Sequence, residues 1–378
     1  MAVFAAAERQ RRPVECVIKV DGNEITDLYR YLREAQVSMS RRAATTGTLT
    51  FDSVRLENGR WSVQDAGVFE AWKRISIEAA FGDTTEEVMS GYIKEVRCEY
   101  PEDKSAARVT VNAQDDSLLL DREHVRRNLS TEAAPMNDGD IAARIALDND
   151  LQSETDTGLT NTSLNIDGTY VRFLNDRAEA NGFEFYVRGG TLHFHAPRLD
   201  QDPVPEPVRV YAGPETNCLR FAANYDGHKP DEVGIVRAAE SGTDPDKDSF
   251  QPNLRVLGTT AANSESKGLK PFVWLMQAPG GATTDEARSR AQAKANENAW
   301  KIAAEGELDG AIYGHVLLTH VLVIVDGAGD TYDGTYYVDE VQHRFSLEGY
   351  REGFKLLRNA TGNDSAPGAV SAIASLFT

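Results

Sequence analysis

Residues 169–194, TYVRFLNDRAEANGFEFYVRGGTLHF, decide how the chain is read. Tyr170, Phe173, Leu174 and Ala178 recur at helical spacing and make one apolar face of about two turns. Asn181-Gly182 stops that helix, because glycine takes the left-handed cap at no steric cost. Phe183 to Val187 then reads as a strand, Gly189-Gly190 as a two-residue primed turn, and Thr191 to His195 as the return strand. A helix feeding a tight hairpin is a packing device, and its aromatics are expected to glue it to a neighbouring β-region.

Working outward, the flanks differ from this unit. Residues 14 to about 125 carry short alternating apolar runs. Cys16, Ile18 and Val20 precede an Asp21-Gly22 turn; Leu49 and Phe51 share a face, as do Ile75, Ile77, Ala79 and Phe81. Tyr92 to Val96 and Val109 to Val111 add two more strands, the pattern of a small barrel or sandwich. Asn137-Asp138-Gly139-Asp140 starts a short helix carrying Ile141 and Ile145, and Gln152 to Ser163 reads as loop. Three prolines in Asp202 to Pro207 make a stiff linker. Strands return after it. The interruptions are a loop-heavy stretch from Gly227 to Lys270 and a helix over 284–304. Thr284 is that helix's expected cap, Ala287, Ala291, Ala295 and Ala299 are its stripe of small residues, and Trp300 anchors its end. Val316 to Val325 reads as a buried strand. Tyr92-Ile93-Lys94-Glu95-Val96 and Tyr337-Val338-Asp339-Glu340-Val341 suggest an internal repeat at an offset of 245, which also sets Val109 over Phe354 and Val111 over Leu356.

Composition bounds the function. The 378 residues suggest two or three domains. A net charge of -19, from 40 basic and 59 acidic side chains, disfavours nucleic-acid binding, since phosphate contacts need Lys and Arg. Cys16, Cys98 and Cys218 are too far apart for a zinc ribbon or disulfide framework, and synthesis in a reducing cytoplasm is expected. The MAVFAAAERQRRP start has no basic region ahead of its apolar residues and is not read as a signal peptide; no run approaches a membrane span.

Chemistry-bearing motifs fail one by one. His193 and His195 share a strand face, but no third metal ligand is evident in sequence. Asp244, Asp246 and Asp248 imitate an EF-hand start, yet Ser249 and Arg255 stand where Gly and Glu are required. Gly327-Ala328-Gly329 lacks the third glycine of a dinucleotide loop. Trp61, Trp72, Trp274 and Trp300 are scattered singly. No catalytic residue, cofactor or metal is expected.

A second stretch joins the first: Gly310-Ala311-Ile312-Tyr313-Gly314-His315-Val316, then Asp333-Gly334-Thr335-Tyr336-Tyr337-Val338-Asp339-Glu340-Val341-Gln342-His343, then Gly349-Tyr350 to Leu357. Together with the helix-hairpin, it resembles the late control D family, baseplate hub proteins of contractile phage tails related to the hub region of type VI secretion spike proteins. The resemblance covers roughly 140–200 and 280–360 and is weak over the first hundred residues.

The resemblance implies a mainly β protein with an α+β insertion: two related β-barrel domains separated by a small α/β segment, in a hub-like trimer. The implied division is 1–126 first barrel, 127–201 inserted domain, 202–207 linker, 208–360 second barrel, and 361–378 C-terminal tether and docking tail. The implied function is structural and non-enzymatic, a trimeric ring in the virion tail baseplate that adapts a hexameric tail tube to a trimeric spike. Expected partners are two further copies of the chain, a tail tube or tube-initiator protein, the central spike, baseplate wedge or other hub-associated proteins, and tape-measure protein; membrane is not among them. Expected contact residues are Arg41 and Arg42 towards the tube, and Val370, Ile373, Leu376 and Phe377 towards the spike. A tail-associated peptidoglycan hydrolase and a carbohydrate-binding β-module are the alternatives.

Overall fold

The computed structural model describes residues 13–102, 107–211, 213–236, 247–277, 280 and 282–363. Six strands come first: β1 (Val14–Val20), β2 (Leu32–Ser40), β3 (Ala43–Asp52), β4 (Arg74–Phe81), β5 (Thr84–Glu99) and β6 (Arg108–Gln114). Their alternation does the work expected of it. Ile18, Leu49, Phe51, Ile77, Val109 and Val111 are wholly buried in one core, each side chain contributing roughly 1.5–3 kcal/mol. Asp21 and Gly22 both take positive φ, 48° and 79°, as a primed turn requires.

Next comes the α+β unit, with α1 (Asp138–Asp148), β7 (Gln152–Thr155), α2 (Tyr170–Asn181), β8 (Glu184–Arg188) and β9 (Thr191–His195). Asn137 caps α1 and Thr169 caps α2, each side chain accepting a backbone N–H of the first turn. Gly182 closes α2 at φ 69°, and Gly189 and Gly190 form the hairpin turn at 55° and 73°. Two expectations are corrected. Gln152 to Thr155 is not loop but a strand, because it pairs in parallel with the hairpin's free edge. The aromatics mostly core the unit itself: Phe183 meets Phe194 edge-on at 5.4 Å, and Phe185 and Phe194 pack with Ile141, Ile145 and Leu174.

The remaining strands are β10 (Val208–Arg209), β11 (Cys218–Tyr225), β12 (Glu232–Val236), β13 (Lys247–Phe250), β14 (Val273–Met276), β15 (Ile302–Asp309), β16 (Leu322–Asp326), β17 (Gly334–Ser346) and β18 (Gly349–Arg358). Strands β12–β14 form a separate small sheet, and α3 (Thr284–Asn298) lays Ala287, Ala291 and Ala295 against Val233 and Ile235 of β12. The helix is shorter than its alanine stripe suggested. Thr283, not Thr284, caps it, and the backbone leaves the helix after Ala299, since Ile302 onward pairs with both β11 and β18. Val316 to Val325 is likewise a strand only from Leu322. His320 sits at φ 65°, outside strand geometry, and its N–H donates to Val338 O. The proline-rich 202–207 segment is fastened down: Val204 N–H donates to Leu322 O, and the Tyr313 hydroxyl to Glu206 O.

One sheet of 13 strands, antiparallel in all but one pairing, unites the flanking regions. Its first half runs β2-β3-β6-β5-β4-β1, and its second β11-β15-β18-β17-β16-β10. Setting aside the two-residue strand Asn23–Glu24, which pairs beyond β1 and completes the thirteen, and numbering by chain position within each half, both orders read second, third, sixth, fifth, fourth, first. The halves meet where β17 pairs with β2. The β5–β6 register shifts between Ile93 and Glu95, and the β17–β18 register between Val338 and Glu340. These bulges lie 245 residues apart, the offset read from the sequence, and bulges are fixed features of a fold. One connection differs: β1 joins β4 antiparallel, whereas β10 joins β16 in parallel. The mainly β architecture with an α+β insertion therefore holds among the described residues.

Candidate functional site

Arg41, at the tight β2–β3 turn, is where the three regions converge. Its side chain points inward and is only 7% exposed. Nε donates to Asp339 Oδ1 of the β17 bulge at 3.0 Å, and one terminal nitrogen lies 3.2 Å from Glu184 Oε1 of the helix-hairpin. The other reaches Glu297 Oε2 of α3 at 3.4 Å. The Arg41 backbone N–H donates to Asp339 O at 2.8 Å. The Tyr337 hydroxyl donates to the second Glu184 oxygen at 2.5 Å, and the Tyr337 ring stacks on Trp300 at 5.8 Å.

Burial works against the Arg41 cation, yet Glu184, Glu297 and Asp339 outweigh it and hold its pKa above the ordinary value. Burial pushes the Glu184 carboxyl up, opposed by the Arg41 charge and the Tyr337 phenol. Both Glu184 oxygens are occupied by these donors and closed to solvent. The group binds the three regions together; it does not present a proton to a ligand. Arg42, beside it, keeps most of its side chain in solvent while pairing with Glu297.

A cleft of about 670 Å³ opens over this junction, lined by Arg41, Arg42, Phe183, Trp274, Glu297 and Trp300 among others. Trp274 and Trp300 thus face one cleft, whereas Trp61 and Trp72 lie elsewhere. Sequence reading singled out Arg41 and Arg42 as a surface pair. Arg41 is instead a buried hub of ion pairs, because three carboxylates from distant segments surround it. Glu184 and Glu297 were not singled out, and Tyr337 and Asp339 were read only as parts of the repeat and family motifs, not as partners of Arg41. The available signals were a lone acid inside the apolar FEFYV run and an acid in the second repeat motif. Val370, Ile373, Leu376 and Phe377 lie outside the described residues, as do Asp244 and Asp246; Asp248 pairs with Arg288 at 3.1 Å.

A second cluster lies on the hairpin. Tyr186 is sandwiched between His193, 4.4 Å away, and His320, 3.7 Å away, both rings nearly parallel to it. The third donor that sequence reading missed for His193 and His195 comes from β7: the carboxylate of Glu154 lies with the two imidazoles, one ligand atom from each falling within 4.8 Å of the others. Parallel pairing sets Glu154 opposite His193, a tertiary relation with no local signature.

The fold has close counterparts among solved structures. The 43 kDa tail protein of prophage MuSo2 from Shewanella oneidensis is 14% identical, with a TM-score of 0.66 over 92% of this chain and 98% of that one. A tail protein from Neisseria meningitidis MC58 is 13% identical, with a TM-score of 0.64 over 92% and 97%. The E. coli c3393 protein, described as a component of the type VI secretion system, is 10% identical, with a TM-score of 0.54 over 93% and 80%. At these identities the likeness is one of fold. No curated protein matches the chain in sequence. Residues 10–346 match the family described as the Alg8 N-terminal domain, and the chain belongs to that family.

Proposed function

We propose that the chain is a structural, non-enzymatic hub of a contractile phage tail or related injection particle, of the late control D type. The observation that carries this reading is the shared strand order of the two sheet halves, with a bulge at the same repeat position in each. Each half is taken as one domain of a duplicated pair, 1–126 and 208–360, with 127–201 inserted between them. A duplicated unit in a trimer offers six similar surfaces to a sixfold tube and three true repeats to a threefold spike. The fold likeness to phage tail proteins and to a type VI secretion component supports the same reading. Arg41 in this scheme locks the insertion between the halves, and Arg42 is the residue offered to the tube. The tail from Val370 to Phe377 is assigned to the spike.

Native mass spectrometry tests the assembly. A trimer near three times the 41.5 kDa of one chain is expected, and a monomer that binds glycans would sink the proposal in favour of the carbohydrate-binding reading. Deleting residues 368–378 is expected to abolish spike binding and leave the trimer intact. Spike binding that survives the deletion removes the role given to the tail.

A further inference from the structure

We infer that Glu154, His193 and His195 form a binding site for a divalent transition-metal ion of the zinc class. The first observation is topological. Glu154 on β7 and His193 on β9 are direct cross-strand partners, and His195 is two residues along the same strand, on the same face. One carboxylate and two imidazoles therefore converge from two adjacent strands, the nitrogen and oxygen donors such an ion takes.

The second observation is the state of the imidazoles. His195 is 2% exposed, and its Nδ1 lies 2.8 Å from Ala196 O. Donation from Nδ1 to that carbonyl leaves Nε2 with a free lone pair, and a backbone carbonyl orienting the distal N–H is a recurrent support for metal-bound histidine. Nδ1 of His193 is buried without a hydrogen-bond partner. Glu154 Oε2 lies 3.2 Å from it, within charge contact. A buried, unpartnered nitrogen beside a carboxylate is a cost in the empty site that a bound cation removes. Tyr186, stacked on the His193 ring, holds its plane.

Two arginines lie near the site: Arg188, which donates to Thr319, and Arg198. Arg198, 3.8 Å from Glu154, is engaged at 2.9 Å by Asp156. Glu154 is half exposed, which gives the ion a path in and leaves room for water as a further ligand.

Isothermal titration of the chelator-treated full chain with zinc chloride tests this, with cobalt(II) absorption as a second readout of coordination. One zinc per chain is expected, with affinity falling at least roughly tenfold in Glu154→Gln, His193→Gln and His195→Gln. Glu154 is solvent-exposed, so E154Q folds even where a histidine variant fails. E154Q also distinguishes this site from binding at the other histidines. Absence of binding, or binding unchanged in E154Q, overturns the assignment.

Discussion

Replacing Arg41 by Met keeps most of the aliphatic stem and removes the charge, so its effect isolates the ion-pair junction. Glu184 is then left 4% exposed with only the Tyr337 hydroxyl as donor. Breaking a buried pair by removing one partner typically costs about 3–5 kcal/mol, and the remaining phenol places the expected loss near the lower end, about 3 kcal/mol. At roughly 2 °C per kcal/mol for a chain of this size class, Tm falls by about 6 °C.

The pH dependence has a definite sign. Glu184 has a folded pKa raised above its ordinary 4.5, and loss of Arg41 raises it further. A carboxyl with a raised folded pKa binds more protons folded than unfolded, so stability falls as pH rises above the unfolded value. The deficit of R41M relative to the parent is therefore largest near about pH 8 and shrinks towards about pH 5. Urea denaturation followed by far-ultraviolet circular dichroism at both pH values measures this. Adding Glu184→Gln to R41M is expected to cost less than the sum of the single variants, because the stranded charge disappears. An R41M deficit below about 0.5 kcal/mol, or one that grows as pH falls, would refute the junction as a charge-coupled lock.

Three other perturbations test particular contacts. Glu352 is fully buried in the β17–β18 region, and burial raises its pKa well above the carboxylate range, while His343, 3.5 Å away, is held down at about 3. The pair is read as neutral, so Glu352→Gln should lie within about 1 kcal/mol of the parent near pH 5 and be the more stable chain near pH 8; a large loss at both would indicate an ionised pair. A Cβ on Gly310 would stand 2.1 Å from the Tyr350 ring, so Gly310→Ala should lose about 1–3 kcal/mol or more in thermal denaturation, and an unchanged Tm would show that the ring can move aside. Asn137→Ala removes the α1 cap, whose Oδ1 accepts Asp140 N–H at 2.8 Å, and should cost about 1 kcal/mol by urea midpoint.

Local periodicity settled a good deal. The boundaries of α2, its Gly182 cap, the primed turn at Gly189-Gly190 and the return strand Thr191–His195 were all legible, because each depends on neighbours within a few residues. So were the buried faces of β3 and β4, which follow from period-two alternation. The repeat at offset 245 was visible in five-residue motifs, but the shared strand order behind it was not. Pairing of β17 with β2 joins residues about 300 apart, and no local pattern encodes that partnership. The alanine stripe gave the face of α3 correctly and its end wrongly, since sheet pairing from Ile302 overrides helix propensity. Tertiary structure alone decided the fate of the polar groups. Arg41 looked like a surface residue because turns usually face water, and Gln152 to Thr155 looked like loop because it is polar. Three carboxylates gathered from β8, α3 and β17 turn the first inward, and the open edge of β9 draws the second into a sheet.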